Sequence, residues 1–250
     1  MGAQLTIFEE AVSLLKETLE EAIKKLPIPE EKNVRRAYIN RHGWNIHDLS
    51  ADVITLGKAG NLGSIYLLAR PALESLFKMS AALNEESFAA EKLVAEVEEE
   101  REKFESWRAS GESAWSETLD KMIKGLKEYE VELRQCYSVN GQRRWRKTWE
   151  VAKAGKLQAE YVKDYFLGSK HVHAMLSALV AREDGLYIIE ALNRLTVTVC
   201  HASALISRFF YVCPNVFDDA LDIQERANSA FKQAQRELEK NLKPEFSGVK

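Results

Sequence analysis

Apolar residues recur at intervals of three and four along almost the whole chain, and little interrupts them: 12 glycines and 5 prolines are spread over 250 residues. That spacing puts apolar side chains on one face of a 3.6-residue helix, whereas a half-buried strand would alternate them. The chain is therefore expected to be all-α, a multi-helix bundle forming a single domain over residues 1–250 with its core at about 4–241. With 46% hydrophobic and 29% charged residues, it carries enough apolar surface for a sizeable core.

The pattern places a first helix from about Thr6 to Lys25, striped by Phe8, Val12, Leu15, Leu19, Ala22 and Leu26 and stopped by Pro27 and Pro29. A short helix is expected from His47 to Lys58, ending at Gly60-Asn61, and a longer one from Leu62 to Leu83. The charge-dense segment Glu85 to Arg108 reads as a narrow-striped helix, part of an inserted arm over about 85–150. Helices follow at about Lys156 to Phe166, Ser169 to Arg182, Leu186 to Tyr211 and Asn215 to Asn241, with Pro214 between the last two. The tail from Leu242 reads as frayed.

A net charge of −3 gives no global pull toward nucleic acid or an anionic membrane, so any such binding must come from a local patch. Cys136, Cys200 and Cys213 are an odd number without Cys-x-x-Cys spacing. They fit a reducing, cytoplasmic location and read as small core residues. The run Leu186 to Cys213 is too often interrupted, by Glu190, Asn193, Arg194, His201 and Arg208, to span a membrane. P-loop, dinucleotide-binding, nucleophile-elbow and zinc-protease motifs are missing, which removes support for those chemistries.

Four polar constellations remain. Tyr66, Arg70, Glu74 and Lys78 recur every fourth residue and form one polar seam on an otherwise apolar helix, with Pro71 between them. The seam reads equally as a surface ion-pair ladder or as the lining of a cleft, since buried charges need partners and often mark sites. Ser169 and His173 share a helical face with Tyr165. A histidine among hydroxyls can serve as an acid or base, but a core histidine satisfied by a serine looks the same. Glu190, Arg194, Thr198 and His201 lie on an apolar helix, where Arg194 and His201 fall on one side, two turns apart. The plain alternative is a Glu190–Arg194 ion pair beside an unrelated histidine. The fourth is Gln142-Arg-Arg-Trp-Arg-Lys-Thr-Trp149. Arg143, Arg144, Trp145 and Arg146 combine phosphate-binding charge with a stacking ring, although Glu128, Glu130 and Glu132 stand near enough in sequence to offset it.

The segments Ser64-Ile-Tyr-Leu-Leu-Ala-Arg-Pro-Ala-Leu-Glu74 and Tyr165-Phe-Leu-Gly-Ser-Lys-His-Val-His173 resemble an uncharacterised bacterial all-helical family. Its members carry an Arg-x-x-x-Glu helix followed, about a hundred residues later, by a Ser-x-x-Val-His helix. Arg70 and Glu74 match the first motif; Ser169 and His173 match the second. That family is similar in architecture to the HEPN superfamily, helical bundles that often dimerise and include RNA-cleaving toxins and phage-defence proteins with an Arg-x(4–6)-His motif. Arg194 and His201 fit that spacing, but Leu195 stands where a polar residue usually follows the arginine.

The resemblance implies a HEPN-like protein of a bacterial stress or defence setting that binds RNA or a nucleotide and acts as a metal-independent ribonuclease without a cofactor. Arg70 and Glu74 would then position His173, with Ser169 beside it, while Arg194 and His201 would bind phosphate or move a proton in a homodimer cleft. A second reading stays open: a non-catalytic module, such as an antitoxin or adaptor, that docks a helical protein partner and uses Arg70, Glu74 and His173 as a structural network.

Overall fold

The computed structural model describes residues 2–25, 34–61, 65–111, 115–140, 147–165 and 185–242. Among them every regular element is helical: α1 (Gly2–Ile23), α2 (Val34–Lys58), α3 (Ile65–Asn84), α4 (Phe88–Ala109), α5 (Ser116–Cys136), α6 (Thr148–Ala154), a short α7 (Gln158–Glu160) running into a π-helical turn (Tyr161–Tyr165), α8 (Gly185–Phe210) and α9 (Val216–Leu242). The all-α bundle is thus as the periodicity requires. No described helix is long and apolar enough to cross a membrane.

The three-and-four stripes face inward. Phe8, Leu15 and Leu19 of α1, Ile39 and Ile46 of α2, Leu76 and Phe77 of α3, and Leu192, Leu195 and Val199 of α8 join one buried cluster. α8 packs against α1, α9, α3 and α2 and so runs through the middle of the bundle. Thr196, Thr198 and Ser203 hide their hydroxyls by donating back along the helix, as Thr196 does to the Leu192 carbonyl at 2.8 Å and Ser203 to the Val199 carbonyl at 3.0 Å.

Several expectations need correction. α2 begins at Val34, not His47. Arg35 and Arg36, at the start of α2, are engaged in packing. Arg35 donates Nε to the Ala82 carbonyl at 2.6 Å and Nη2 to the Leu83 carbonyl at 2.8 Å, closing the last turn of α3. Its guanidinium also lies 5.3 Å from the Phe209 ring centroid, and Arg36 lies 5.9 Å from that of Phe210. The helix expected from Lys156 to Phe166 is instead the short α7 with its π turn. Cys136 is exposed, not a core residue, while Cys200 is buried as expected. There, burial pushes the thiol up to about 12, which keeps it protonated.

α4 leaves the bundle after its first turns and pairs with α5. Val94, Val97 and Leu133 form a small core of their own. Arg134 bridges the two helices to Glu98 and, at 3.0 Å, holds Glu130; Arg101 reaches Glu130 at 3.3 Å and Glu105 at 3.0 Å. Glu130 is thereby engaged within the hairpin, not available to the basic run after it. The expected stop at Pro27 and Pro29, the Ser169 to Arg182 helix, the tail beyond 242 and the side chain of Tyr66 lie outside the described residues.

Candidate functional site

α6 fixes one wall of the site. Ser80 of α3 donates to the Gly155 carbonyl at 2.8 Å. A Cβ on Gly155 would stand 3.1 Å from Ser80 Cβ and 3.2 Å from the Phe77 carbonyl oxygen, so only glycine lets the end of α6 lie this close to the α3 backbone. The π turn follows and carries Tyr161 and Tyr165 onto Phe77, whose ring centroid is 6.2 Å from each of theirs.

There the polar seam of α3 meets its partner. Arg70 donates Nε to Glu74 Oε1 at 3.1 Å and Nη2 to the Tyr165 hydroxyl oxygen at 2.7 Å. The same hydroxyl donates to Glu74 Oε1 at 2.9 Å, closing a triangle, and Thr148 Oγ1 lies 3.4 Å from it. Arg70 Cζ stands 4.9 Å from the Tyr165 ring centroid, so the tyrosine engages the cation through both ring and hydroxyl. Pro71 sits inside α3. Lacking an N–H, it leaves the Leu67 carbonyl without its helical donor next to these charges.

Tyr165 is 8% exposed, whereas the Arg70 and Glu74 side chains keep 23% and 34% of their surface, so the triangle opens to solvent along α3. Burial raises the Tyr165 pKa and the Glu74 charge adds to it, against the lowering contacts of Thr148 and Arg70. The hydroxyl keeps its proton at neutral pH. For Arg70, burial works against the charge, and the Glu74 and Tyr165 contacts outweigh it to hold the guanidinium ionised.

Aromatic rings extend the site outward. Trp149, which is 41% exposed, has its centroid 5.2 Å from Tyr161, and Tyr161 stacks on Tyr165 at 5.0 Å with planes 18° apart. Trp149, Tyr161, Tyr165 and the Arg70 guanidinium form a row with about 5 Å between neighbours.

The seam's last member turns elsewhere. Lys78 pairs with Glu96 of α4 at 2.7 Å, where Lys92 also approaches to 3.8 Å. Beside them, His42 packs edge-on against Tyr38 at 4.4 Å. The Tyr38 hydroxyl and His42 Nδ1 are buried with no hydrogen-bond partner among the described residues. Burial, helped by the charges of Lys78, Arg41 and Lys92, drives the His42 pKa down to about 3 and keeps the ring neutral. Asn45 joins α2 to α3 by donating to Ser75 Oγ at 2.7 Å.

Arg70 and Glu74 thus converge, and Tyr165 is the partner that sequence reasoning placed only on the histidine's helical face. Ser169 and His173 lie outside the described residues, as do Arg143, Arg144, Trp145 and Arg146. Arg194 holds Glu190 at 2.5 Å, the ion pair anticipated as the plain alternative. His201 occupies the same helix; burial lowers its pKa while the Glu160 charge opposes the shift. Among the described residues no group of three or more His, Cys, Asp or Glu gathers to hold a metal ion. The signal that could have found the aromatic row was the spacing of Tyr161 and Tyr165, one helical turn apart.

Fold and site together define an all-α bundle with a solvent-open Arg–Glu–Tyr triangle at a π turn. A family model, that of a family of unknown function (DUF5677), matches residues 36–185, and the chain belongs to that family. No curated protein and no solved structure matches the chain. The matched segment contains the whole triangle, yet its core is completed from outside by α1 and α8.

Proposed function

We propose that the protein is a HEPN-like helical protein that binds RNA or a nucleotide through the Arg70–Glu74–Tyr165 triangle and the adjoining ring row, and cleaves RNA without a metal. The observation that carries this reading is the alignment of three aromatic rings with one ion-paired guanidinium. Stacked rings receive bases regardless of sequence, and a cation beside them meets the intervening phosphate. In sequence, the basic run Arg143 to Arg146 stands just ahead of Trp149.

For cleavage, a ribose 2′-oxygen attacks the adjacent phosphorus, the P–O5′ bond breaks, and a 2′,3′-cyclic phosphate and a 5′-hydroxyl result. Glu74 is the base that takes the 2′-proton in this reading, Arg70 stabilises the charge gathering on phosphorus, and His173 returns a proton to the leaving oxygen. A bacterial stress or phage-defence setting rests on the HEPN resemblance alone. The test is to incubate purified protein with single-stranded RNA in the presence of EDTA, alongside Arg70→Ala, Trp149→Ala, His173→Ala and His201→Ala. A wild type that neither retains nor shortens the RNA overturns the reading.

One observation favours the second reading, a non-catalytic adaptor or antitoxin. Arg70, Glu74 and Tyr165 satisfy one another without a ligand. In that case replacing them lowers thermal stability and leaves the binding of a helical protein partner intact.

A further inference from the structure

α5 carries two stripes. One, Leu119, Leu126 and Leu133, turns toward α4. The other runs Trp115, Thr118, Met122, Gly125, Tyr129, Glu132 and Cys136, alternating steps of three and four, and every one of these residues is exposed. Trp115 keeps 65% of its surface, Met122 42% and Tyr129 48%. The second stripe lies about a quarter turn around the helix from the first, the angle at which a helix in a four-helix bundle meets its second neighbour.

Gly125 is the anomaly in this stripe. Glycine in an exposed helix interior is destabilising, and at Gly125 nothing lies within 4 Å of where a Cβ would be. Among the described residues of one copy it serves no close approach. We infer that the Trp115–Cys136 stripe of α5 is a self-association surface, on which a second copy of the chain packs its own α5 antiparallel across a two-fold axis between Ile123 and Lys124.

In that register every large residue faces a small or flexible one. Met122 lies over Gly125 of the other copy, Tyr129 over Thr118, and Trp115 over the aliphatic stem of Glu132, each contact occurring twice by symmetry. The flanking charges agree. Lys121 of each copy comes beside Glu128 of the other, exchanging their exposed intrahelical partners Glu117 at 2.8 Å and Lys124 at 3.8 Å for partners across the interface. Lys121 and Glu128 lie on one flank of the stripe, and a parallel pairing would turn that flank toward the partner's opposite flank, which Leu126 and Leu133 occupy against α4, so only the antiparallel arrangement brings these charges together. None of these residues belongs to the Arg70 triangle, so the surface stands or falls independently of the RNA reading.

The experiment is sedimentation velocity on the full chain over a concentration series, with Lys121→Glu, Glu128→Lys, the two combined, and Gly125→Leu. All three positions are exposed, and circular dichroism checks that each variant keeps its helical content. The expected result is a concentration-dependent dimer whose Kd rises about tenfold or more in each single charge reversal, because two like-charge contacts replace two opposite ones. The combined reversal restores it, and Gly125→Leu abolishes it. A chain that stays monomeric at all concentrations overturns the inference. So does a dimer that the single reversals leave intact, or one that the combined reversal does not bring back.

Discussion

The Tyr165 hydroxyl donates to Glu74 Oε1 at 2.9 Å across 91 residues of sequence while accepting from Arg70 Nη2 at 2.7 Å. One phenol thus completes an ion pair that neighbouring turns of α3 began. Tyr165→Phe keeps the ring and its contact with the guanidinium but removes both hydrogen bonds. The expected loss is about 1–3 kcal/mol of unfolding free energy, moderated by the solvent access of Arg70 and Glu74. Urea denaturation of the two proteins measures it, and an unchanged midpoint would show that the triangle holds nothing together.

Binding of single-stranded RNA is expected to separate the two ends of the aromatic row. Trp149→Ala removes one stacking surface, with a loss of about 1–3 kcal/mol in affinity. Arg70→Ala instead lowers the slope of log affinity against log salt by about one phosphate contact. Fluorescence anisotropy at several salt concentrations distinguishes these outcomes.

His42 makes stability sensitive to mild acid. Its folded pKa of about 3 lies below the unfolded value near 6.5, so the unfolded chain takes up the proton first. The neutral ring therefore costs nothing above about pH 6.5, and stability falls as pH drops from there toward 3, by up to about 1.4 kcal/mol per pH unit. The charges of Lys78, Arg41 and Lys92 face the ring and oppose its protonation. Glu96 pairs with Lys78 at 2.7 Å beside them. Melting temperatures between pH 7 and 5 should fall more steeply for the wild type than for His42→Gln, and parallel curves would contradict this.

Gly43 marks where α2 crosses α1 and α8. An added Cβ would lie 2.7 Å from Ile206 Cδ1 and 2.7 Å from Leu19 Cδ2, both on fully buried residues. Overpacking of this kind costs about 1–3 kcal/mol, which exceeds the helix propensity of about 1 kcal/mol that alanine contributes. Gly43→Ala is thus expected to lower the urea midpoint, and a raised midpoint would show that the two side chains yield freely.

Much of this could be read in the residues themselves. Phe8, Leu15 and Leu19 declare an inward face because helical period is a local property, and Arg70 meets Glu74 because four residues make about one turn. Tyr165 could not be assigned to Arg70 in the same way, since periodicity says which face a residue shares and nothing about which helix comes to lie against it. The role of Arg35 is hidden for a related reason: its partners are carbonyls at the far end of another helix and a ring on α8, neither of which leaves a trace nearby in sequence. Cys136 was taken for a core residue because small apolar residues are mostly buried, and a helix with two apolar stripes breaks that rule.

The π turn at Tyr161–Tyr165 makes this region sensitive to chain length as well as to residue identity. A π turn accommodates a residue more than α winding would hold, so the phase of Tyr165 about its axis depends on a count. Deleting one residue between Tyr161 and Tyr165 would let ordinary winding resume and swing the hydroxyl away from Glu74, with every contacting side chain still present. Among relatives of this chain, a gap within these five positions would therefore signal a lost triangle more surely than a conservative substitution in it.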